Sequence, residues 1–243
     1  MSPPVFLVEP DHLDGESLVL DGPEGRHAAA VRRLRAGERV DLTDGAGAMA
    51  ECVVTAAGKE SLTLDVLARH HHPRPEPRLV VVQALPKGDR GELAVETMTE
   101  VGVDEIVPWA ASRCVTQWKP ERRAKALGRW RSTAREAAKQ ARRPWLPEIT
   151  DLATTAQVAD RVKAASRALI LHEEATSPLS ALRPPATGEI VLIVGPEGGV
   201  SDEELDGFTA AGGLPTLLGP TVLRTSTAGV AAASVLLAAT GRW

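Results

Sequence analysis

Residues 189–202, EIVLIVGPEGGVSD, decide the fold of the second half of the chain. Residues 190–194 form an apolar run, residues 189–195 have the length and composition of a buried β-strand, and the run leads directly into a glycine-rich stretch. Ser201 and Glu204 have the spacing of a helix capping box, which predicts a helix over 202–212. A strand, a glycine loop and a helix in this order indicate a ligand-binding unit of an α/β sheet.

The sequence of this loop argues against two familiar phosphate sites. A P-loop needs Lys followed by Ser or Thr after its last glycine, and GPEGGVSD lacks that pair. A dinucleotide fingerprint belongs to the first βα unit, whereas this loop lies late in the chain. Glu197 stands at its centre and Asp202 and Glu203 follow. A neutral or cationic ligand therefore fits better than a phosphate.

Two further loops are predicted at the same edge of the sheet. A strand over 214–219 runs into GPTVLR (219–224), and an alanine-rich helix over 226–241 follows. Another strand, over 167–173, ends in LHEE. The carboxyl ends of parallel strands share one edge, where ligands of open α/β sheets bind. Each loop alone could be a plain tight turn, but the convergence of three favours a site.

The pattern of elements changes near residue 75. Downstream, strands alternate with longer helices, which is typical of a mostly parallel sheet. Upstream, short strands at near-even spacing and one helix over 25–35 indicate a small β-barrel-like domain. HHHPRPEPR (70–78) is interpreted as a linker. The predicted domains are 1–72 and 79–243, joined by 73–78. The upstream strands are predicted at 5–7, 17–20, 39–44, 50–56 and 61–68.

Composition restricts the classes of protein. The chain has 243 residues, 43% of them apolar, so it can bury a core. No run approaches the roughly 20 apolar residues of a membrane span, and the start lacks the features of a secretory signal. Neither cysteine has neighbours at metal-ligand spacing, and three adjacent histidines (70–72) are poorly placed to share a metal. We expect a cytoplasmic protein without a metal.

The charge is concentrated in one segment. Residues 119–143 hold ten Lys and Arg against two Glu, a net +8 within a chain of −4. A solvated amphipathic helix is the ordinary interpretation, but few acidic partners relieve the repulsion, and a phosphate backbone would. Trp118 and Trp145 are candidates for stacking on bases. The basic residues predicted to bind RNA here are Arg131, Arg135, Lys139, Arg142 and Arg143.

These motifs resemble the bacterial 16S rRNA uracil-N3 methyltransferases, the RsmE family of the SPOUT superfamily. The similarity covers essentially the whole chain. It rests on GPEGG with its acidic helix, on LGPTVLR before the alanine-rich helix, and on three upstream blocks. These blocks are RHAAAVRRLRAGERVDLTDGAG (26–47), LPKGDRGELAVETMTEVGVDEIVPW (85–109) and AREAAKQARRPWLPEI (134–149).

The resemblance implies an α/β protein with a small N-terminal PUA-like β-barrel that binds RNA and a C-terminal SPOUT domain with a deep trefoil knot. It also implies a homodimer that binds S-adenosylmethionine at the three loops. The implied substrate is 16S rRNA, in the assembled small ribosomal subunit. The cofactor residues that it implies are Leu171, His172, Glu173, Gly195, Pro196, Glu197, Gly198, Gly199, Leu218, Gly219, Val222, Leu223, Arg224, Thr227 and Ala228.

The implied reaction needs uracil N3 to lose its proton, so negative charge develops on the ring. A guanidinium would stabilise that charge, and Arg224 is the first candidate. Glu100 is a candidate for the proton acceptor, with solvent as the alternative. Arg26, Arg32 and Arg33 of the first domain are added to the RNA-binding set.

The chain departs from the family pattern at three positions. Ser226 stands at the glutamate of R-T-E-T-A, Thr221 replaces a residue that is often basic, and Arg32 replaces the leucine of V-L-R. Two alternatives therefore stay open. One is a methyltransferase that acts on another RNA, such as tRNA, and the other is a non-catalytic RNA-binding assembly factor.

Overall fold

The computed structural model describes residues 2–243, and the chain divides into two compact units. The first unit runs to Arg74 and also contains Ala138–Leu146, and the second comprises Pro75–Ala137 and Pro147–Trp243. The domain predicted from the sequence comprises all of 79–243. The structure differs because 138–146 packs with the first unit, where Leu146 donates to Gly45 O at 2.9 Å and Trp145 Nε1 donates to His72 O at 3.0 Å.

The first unit is built on a five-stranded sheet in the order β1-β3-β4-β5-β2. Only β1 and β3 are parallel. No hydrogen-bonded pair joins β1 to β2 within residues 2–243, so the ladder is open between these two strands. Apolar residues that alternate along the strands form the core. The strands are β1 (Val5–Leu7), β2 (Ser17–Leu20), β3 (Arg39–Thr43), β4 (Ala48–Ala57) and β5 (Leu62–His71).

The helix predicted over 25–35 is shorter and starts earlier. It consists of α1 (Gly22–Arg26) and a π-helical turn over His27–Val31. Arg33 follows with a φ of 56°, a left-handed conformation that cannot continue a right-handed helix.

The second unit is a six-stranded parallel sheet in the order β11-β9-β10-β6-β7-β8, with its apolar core around β6 and β10. The strands predicted at the start of 189–202, over 167–173 and over 214–219 are present, with ends within three residues. The strands are β6 (Arg78–Ala84), β7 (Glu105–Trp109), β8 (Glu148–Ile149), β9 (Arg167–Leu171), β10 (Glu189–Val194) and β11 (Leu214–Thr216). The helices are α2 (Arg90–Val101), α3 (Pro120–Gln140), α4 (Thr155–Ala164), α5 (Asp202–Ala210) and α6 (Thr225–Ala239).

Strand β8 and helix α4 were not predicted from the sequence. Helix α4 has a capping box, in which Thr154 accepts from Gln157 N and Gln157 accepts from Thr154 N. The T-x-x-Q spacing at 154–157 is a signal that could have found it.

A network of ion pairs closes the amino-terminal end of the parallel sheet. Glu105 at the start of β7 is 2% exposed and binds the guanidiniums of Arg161 and Arg78. Arg161 also donates to Glu189 at 2.9 Å. Burial opposes the charged form, yet the hydrogen bonds to Glu189 and Glu105 leave the pKa of Arg161 above its usual value. These ion pairs therefore stabilise the amino-terminal end of the sheet, and the opposite, carboxyl end is available for ligand binding.

We expect Arg161→Leu to lower the free energy of unfolding by about 3 kcal/mol, because Glu105 would lose one of its two partners while buried. Urea unfolding followed by tryptophan fluorescence measures the change. Arg167→Leu, at an exposed position at the start of β9, is the control and should change stability by less than about 0.5 kcal/mol. Equal effects of the two substitutions would contradict this role.

Candidate functional site

A cavity of about 640 Å³ lies at the carboxyl ends of the neighbouring strands β11, β9 and β10. This volume falls within the roughly 300–1,000 Å³ range of small-molecule sites. We call it the three-loop cavity, because three loops line it together with one arginine: residues 171–174, residues 194–200 with 202, and residues 217–225 with 228. The convergence predicted from three separate sequence stretches is thus present in the fold.

The structure brings almost all of the predicted cofactor residues to this cavity. The exception is Thr227, whose hydroxyl donates to Arg224 O in the first turn of α6. The residues that line it are Leu171, His172, Glu173, Gly195, Pro196, Glu197, Gly198, Gly199, Leu218, Gly219, Val222, Leu223, Arg224 and Ala228.

Arg113 lines the cavity and was missed in the sequence. It lies in the loop after β7, and its Nη1 donates to Gly198 O and Val200 O, each at 3.3 Å. Its guanidinium also lies 3.8 Å from Asp202. A lone arginine in a loop carries no motif, so only the three-dimensional contact assigns it. Arg113 therefore holds the glycine loop in place, although it follows β7, a strand that does not border the cavity.

Two glycines are required by the geometry of the 195–199 loop. Gly199 has a φ of 73°, and its N–H closes a tight turn onto Pro196 O at 2.9 Å. A Cβ on Gly195 would lie 2.9 Å from Val200 Cγ2, closer than side chains can approach. The loop therefore leaves β10 with its backbone close to the ligand space.

Glu197 has a structural partner. Its carboxylate accepts the backbone N–H of Lys87 at 2.9 Å, although the side chain remains exposed at the cavity. This bond ties the glycine loop to the loop after β6. The carboxylate of Glu197 therefore fixes the geometry of the loop and also adds negative charge to the cavity.

Glu204 holds the start of α5 to two other segments. Its carboxylate accepts from Ser112 N at 2.8 Å, from Thr155 Oγ1 at 3.1 Å and from Ser201 N at 3.2 Å, and it is 5% exposed. The predicted capping box with Ser201 is confirmed. Burial opposes ionisation, but the hydrogen bonds from Ser112 and Ser201 outweigh it and lower the pKa of Glu204.

Carboxylates outnumber cations at the three-loop cavity. Arg113 and Arg224 face four acidic residues. Arg224 is exposed at the N-cap of α6, and its guanidinium makes no hydrogen bond or ion pair within residues 2–243. The cavity therefore suits a ligand with positive charge and leaves one guanidinium available to a second, electron-rich group. The acidic residues are Glu173, Glu174, Glu197 and Asp202.

Ser226, which stands at the glutamate of the family pattern, does not line the three-loop cavity. It is 2% exposed, and its hydroxyl has no hydrogen-bond partner in the described chain. The position lies inside the packing of α6, where the serine presents no group to the cavity surface. Thr221, in contrast, is exposed at the cavity.

The structure places two predicted residues away from the contacts that were proposed for them. Glu100 is exposed on α2 and does not line the three-loop cavity, so it is not positioned as a proton acceptor there. The side chain of Lys139 is only 6% exposed and its ammonium lies 3.0 Å from Glu24 within the first unit. Because it is buried and paired, Lys139 is a structural cation and not a surface contact for phosphate.

The other arginines predicted to bind RNA are at least partly accessible. Arg26, Arg32, Arg33, Arg135 and Arg142 are exposed, and Arg143 is half-buried. Arg26 lies 3.6 Å from Glu60. Arg131 donates to Ile149 O and Asp151, both at 3.2 Å, so part of its charge is used within the second unit.

The two tryptophans considered for base stacking are half-buried, and each contacts another side chain of the protein. Trp118 contacts Trp130 edge-to-face with ring centroids 5.1 Å apart. Arg74 covers the ring of Trp145 at 4.8 Å. Within residues 2–243 no group of three His, Cys, Asp or Glu could hold a metal, and no helix is long and apolar enough to cross a membrane.

Comparisons with known proteins agree with this geometry. Residues 73–237 match a family described as the RNA methyltransferase domain, and 20–67 match the RNA methyltransferase PUA domain. Ribosomal RNA small subunit methyltransferase E of Mycobacterium bovis is 45% identical, covering 98% of this chain and 93% of that protein. The protein of that name from Bacillus subtilis is 28% identical over 89% of this chain and 88% of its own length.

Two solved structures share the fold over 98% of both chains. Ribosomal RNA small subunit methyltransferase E of Neisseria gonorrhoeae, bound to S-adenosylmethionine, has a TM-score of 0.87 at 27% identity. A methyltransferase of Legionella pneumophila with bound S-adenosylmethionine has a TM-score of 0.84 at 30% identity.

We expect the stabilisation by Glu204 to depend on pH. Its folded pKa is lowered, so its contribution is present above the unfolded value of about 4.3 and is lost as the pH falls through the folded pKa. Glu204→Gln should cost about 1–3 kcal/mol at pH 7. The difference in free energy of unfolding between this variant and the original chain should become smaller below about pH 4.

Urea unfolding of both proteins at several pH values between 7 and 3 tests this expectation. Glu203→Gln, at the exposed neighbouring position, is the matched control and should show no such narrowing. A deficit of Glu204→Gln that stays constant down to pH 3 would refute the assignment.

Proposed function

The chain belongs to the RNA methyltransferase family, and we propose that it transfers the methyl group of S-adenosylmethionine to N3 of a uridine in 16S rRNA. The observation that carries the proposal is the three-loop cavity, where carboxylates predominate beside one unpaired guanidinium. S-adenosylmethionine has a sulfonium cation and no phosphate, so it matches that lining. Relatives named for small-subunit rRNA methylation, and neighbours with S-adenosylmethionine bound, support the same conclusion.

The residues present fit S-adenosylmethionine. The close-packed backbone at Gly195 and the turn at Gly199 leave main-chain groups for the adenosine, and Leu171 and Leu218 supply apolar surface. Acidic side chains at the end of β9 and in the glycine loop favour the positive charge. When bound, S-adenosylmethionine supplies an activated methyl group. The chain supplies orientation, charge and exclusion of water.

Arg224 has the chemistry that the substrate requires. Loss of the N3 proton leaves negative charge on N3 and the two carbonyl oxygens of uracil. N3 then forms its bond to the methyl carbon while the bond from that carbon to sulfur breaks, and the electron pair of that bond stays on sulfur. The free guanidinium of Arg224 at the mouth of the cavity would stabilise that charge and lower the pKa of N3. Because Glu100 lies on α2 away from the cavity, solvent or a carboxylate of the lining takes the proton.

We further propose the SPOUT topology with a deep trefoil knot, a homodimer, and action on the assembled small subunit in the cytoplasm. The segment after β11 is held against the segment after β9, since Leu217 donates to Ser177 O and accepts from Leu179 N, both at 2.8 Å. Val222 is 79% exposed beside the cavity, a position that a second subunit would cover. Sedimentation equilibrium of the chain tests the dimer, and a monomer would refute it.

Transfer of labelled methyl groups onto small subunits, protein-free 16S rRNA and tRNA tests the substrate. We expect incorporation into small subunits, with the product located at uridine N3 by mass spectrometry. Preferred labelling of tRNA would establish the first alternative. Binding of S-adenosylmethionine without transfer to any RNA would favour the assembly factor.

We expect Arg224→Gln to lower kcat by about 10²–10³-fold, because a stabilising donor to developing charge is lost. Arg224→Lys should recover part of the rate, since the cation is kept. Steady-state kinetics with small subunits measure both, and Arg183→Gln, an exposed arginine that does not line the cavity, is the control. An unchanged kcat with a raised KM would reassign Arg224 to binding alone.

A further inference from the structure

A second cavity, of about 540 Å³, lies beside α3 in the second unit and has no role in the reaction described above. Loops that follow β6 and β7, the start of α2 and one face of α3 line it. We call it the cationic pocket. The residues that characterise it are Trp118, Arg122, Lys125, Arg129, Trp130 and Glu92.

The charge of the pocket comes from one ridge of α3. Arg122, Lys125 and Arg129 are separated by three and four residues, so a helix places them along one side. Arg129 lies 3.4 Å from Glu92. Arg122 and Lys125 are exposed and form no ion pair within residues 2–243. Two cations therefore face the pocket without an internal counter-charge.

The pocket also has a fixed aromatic wall. Trp118 is half-buried and meets the buried ring of Trp130 edge-to-face. Trp130 is held against α2, because a Cβ on Gly91 would lie only 2.8 Å from its Nε1. An indole supported in this way offers a rigid apolar surface beside two free cations. Stacking surface next to positive charge is the combination that binds a nucleotide of single-stranded RNA.

We propose that the cationic pocket binds one nucleotide of the rRNA strand near the target uridine, with its base against Trp118 and its phosphate on Arg122 and Lys125. The proposal rests on the RNA substrate proposed above and adds where that RNA is held. The residues differ from those predicted on α3 from the sequence, which began at Arg131.

The pocket and the three-loop cavity share two connecting loops. Gly88 lines the pocket, and the preceding residue, Lys87, donates to Glu197 of the three-loop cavity. Thr116 lines the pocket and Arg113 lines the cavity, and three residues of chain span at most about 11 Å. A strand that places its target base in one can therefore place a neighbouring nucleotide in the other.

The test compares Arg122→Gln with Arg123→Gln, which removes the same charge at an exposed position outside the pocket. We expect Arg122→Gln to raise the KM for small subunits about tenfold at unchanged kcat. The salt dependence of its binding to protein-free 16S rRNA should weaken by about 0.7 in slope, the loss of one phosphate contact. Arg123→Gln should change both quantities far less. Titration with S-adenosylmethionine should give the original affinity for both variants.

Trp118 is tested separately, because its loss also removes packing against Trp130. Trp118→Ala should weaken binding to protein-free rRNA about tenfold without changing the salt slope, and Trp118→Phe should restore most of it. Equal effects of Arg122→Gln and Arg123→Gln would overturn the proposal, as would unchanged binding by Trp118→Ala. If the variants lost affinity for small subunits but not for protein-free rRNA, the proposal would also be overturned, because the pocket would then contact a ribosomal protein. Because these binding assays need no turnover, they distinguish failure of the pocket proposal from failure of the proposed methyl transfer.

Discussion

The buried carboxylate of Glu204 is the interaction on which the geometry of the three-loop cavity depends. It completes the capping box of α5 by accepting from Ser201 N, and it receives hydrogen bonds from the loop after β7 and from the first turn of α4. Through Ser112 it fixes the segment from which Arg113 reaches the carbonyls of the glycine loop. One acidic side chain thus sets the positions of three segments that are distant in the sequence.

The parallel sheet divides stability and binding between its two ends. At the amino-terminal end, where no ligand needs access, ion pairs and hydrogen bonds connect Glu105, Arg161, Arg78 and Glu189. At the carboxyl end, the glycine loop and the loop after β11 leave backbone and charge exposed. A cationic methyl donor is attracted by negative charge, and an anionic RNA by positive charge. The acidic three-loop cavity suits the first and the basic ridge on α3 suits the second, and the loops after β6 and β7 connect the two sites.

Local patterns predicted the parts of this arrangement that local chemistry fixes. The strand, glycine loop and capping box of 189–204 could be predicted because each depends on neighbouring residues, and the family resemblance is confirmed by the comparisons. The bonds from Arg113 to Gly198 and from Lys87 to Glu197 span 85 and 110 residues, and no periodicity encodes them. The same holds for Lys139, whose burial depends on Glu24, 115 residues away. The charge of α3 was evident in the sequence, but not which of its faces borders a cavity.

A crystal structure of the chain grown with S-adenosylmethionine tests where the methyl donor binds. We expect one molecule per chain in the three-loop cavity, with its sulfonium among the carboxylates and its methyl group directed towards the side of Arg224. Well-ordered crystals with that cavity empty at saturating S-adenosylmethionine, or with the molecule in the cationic pocket, would contradict it.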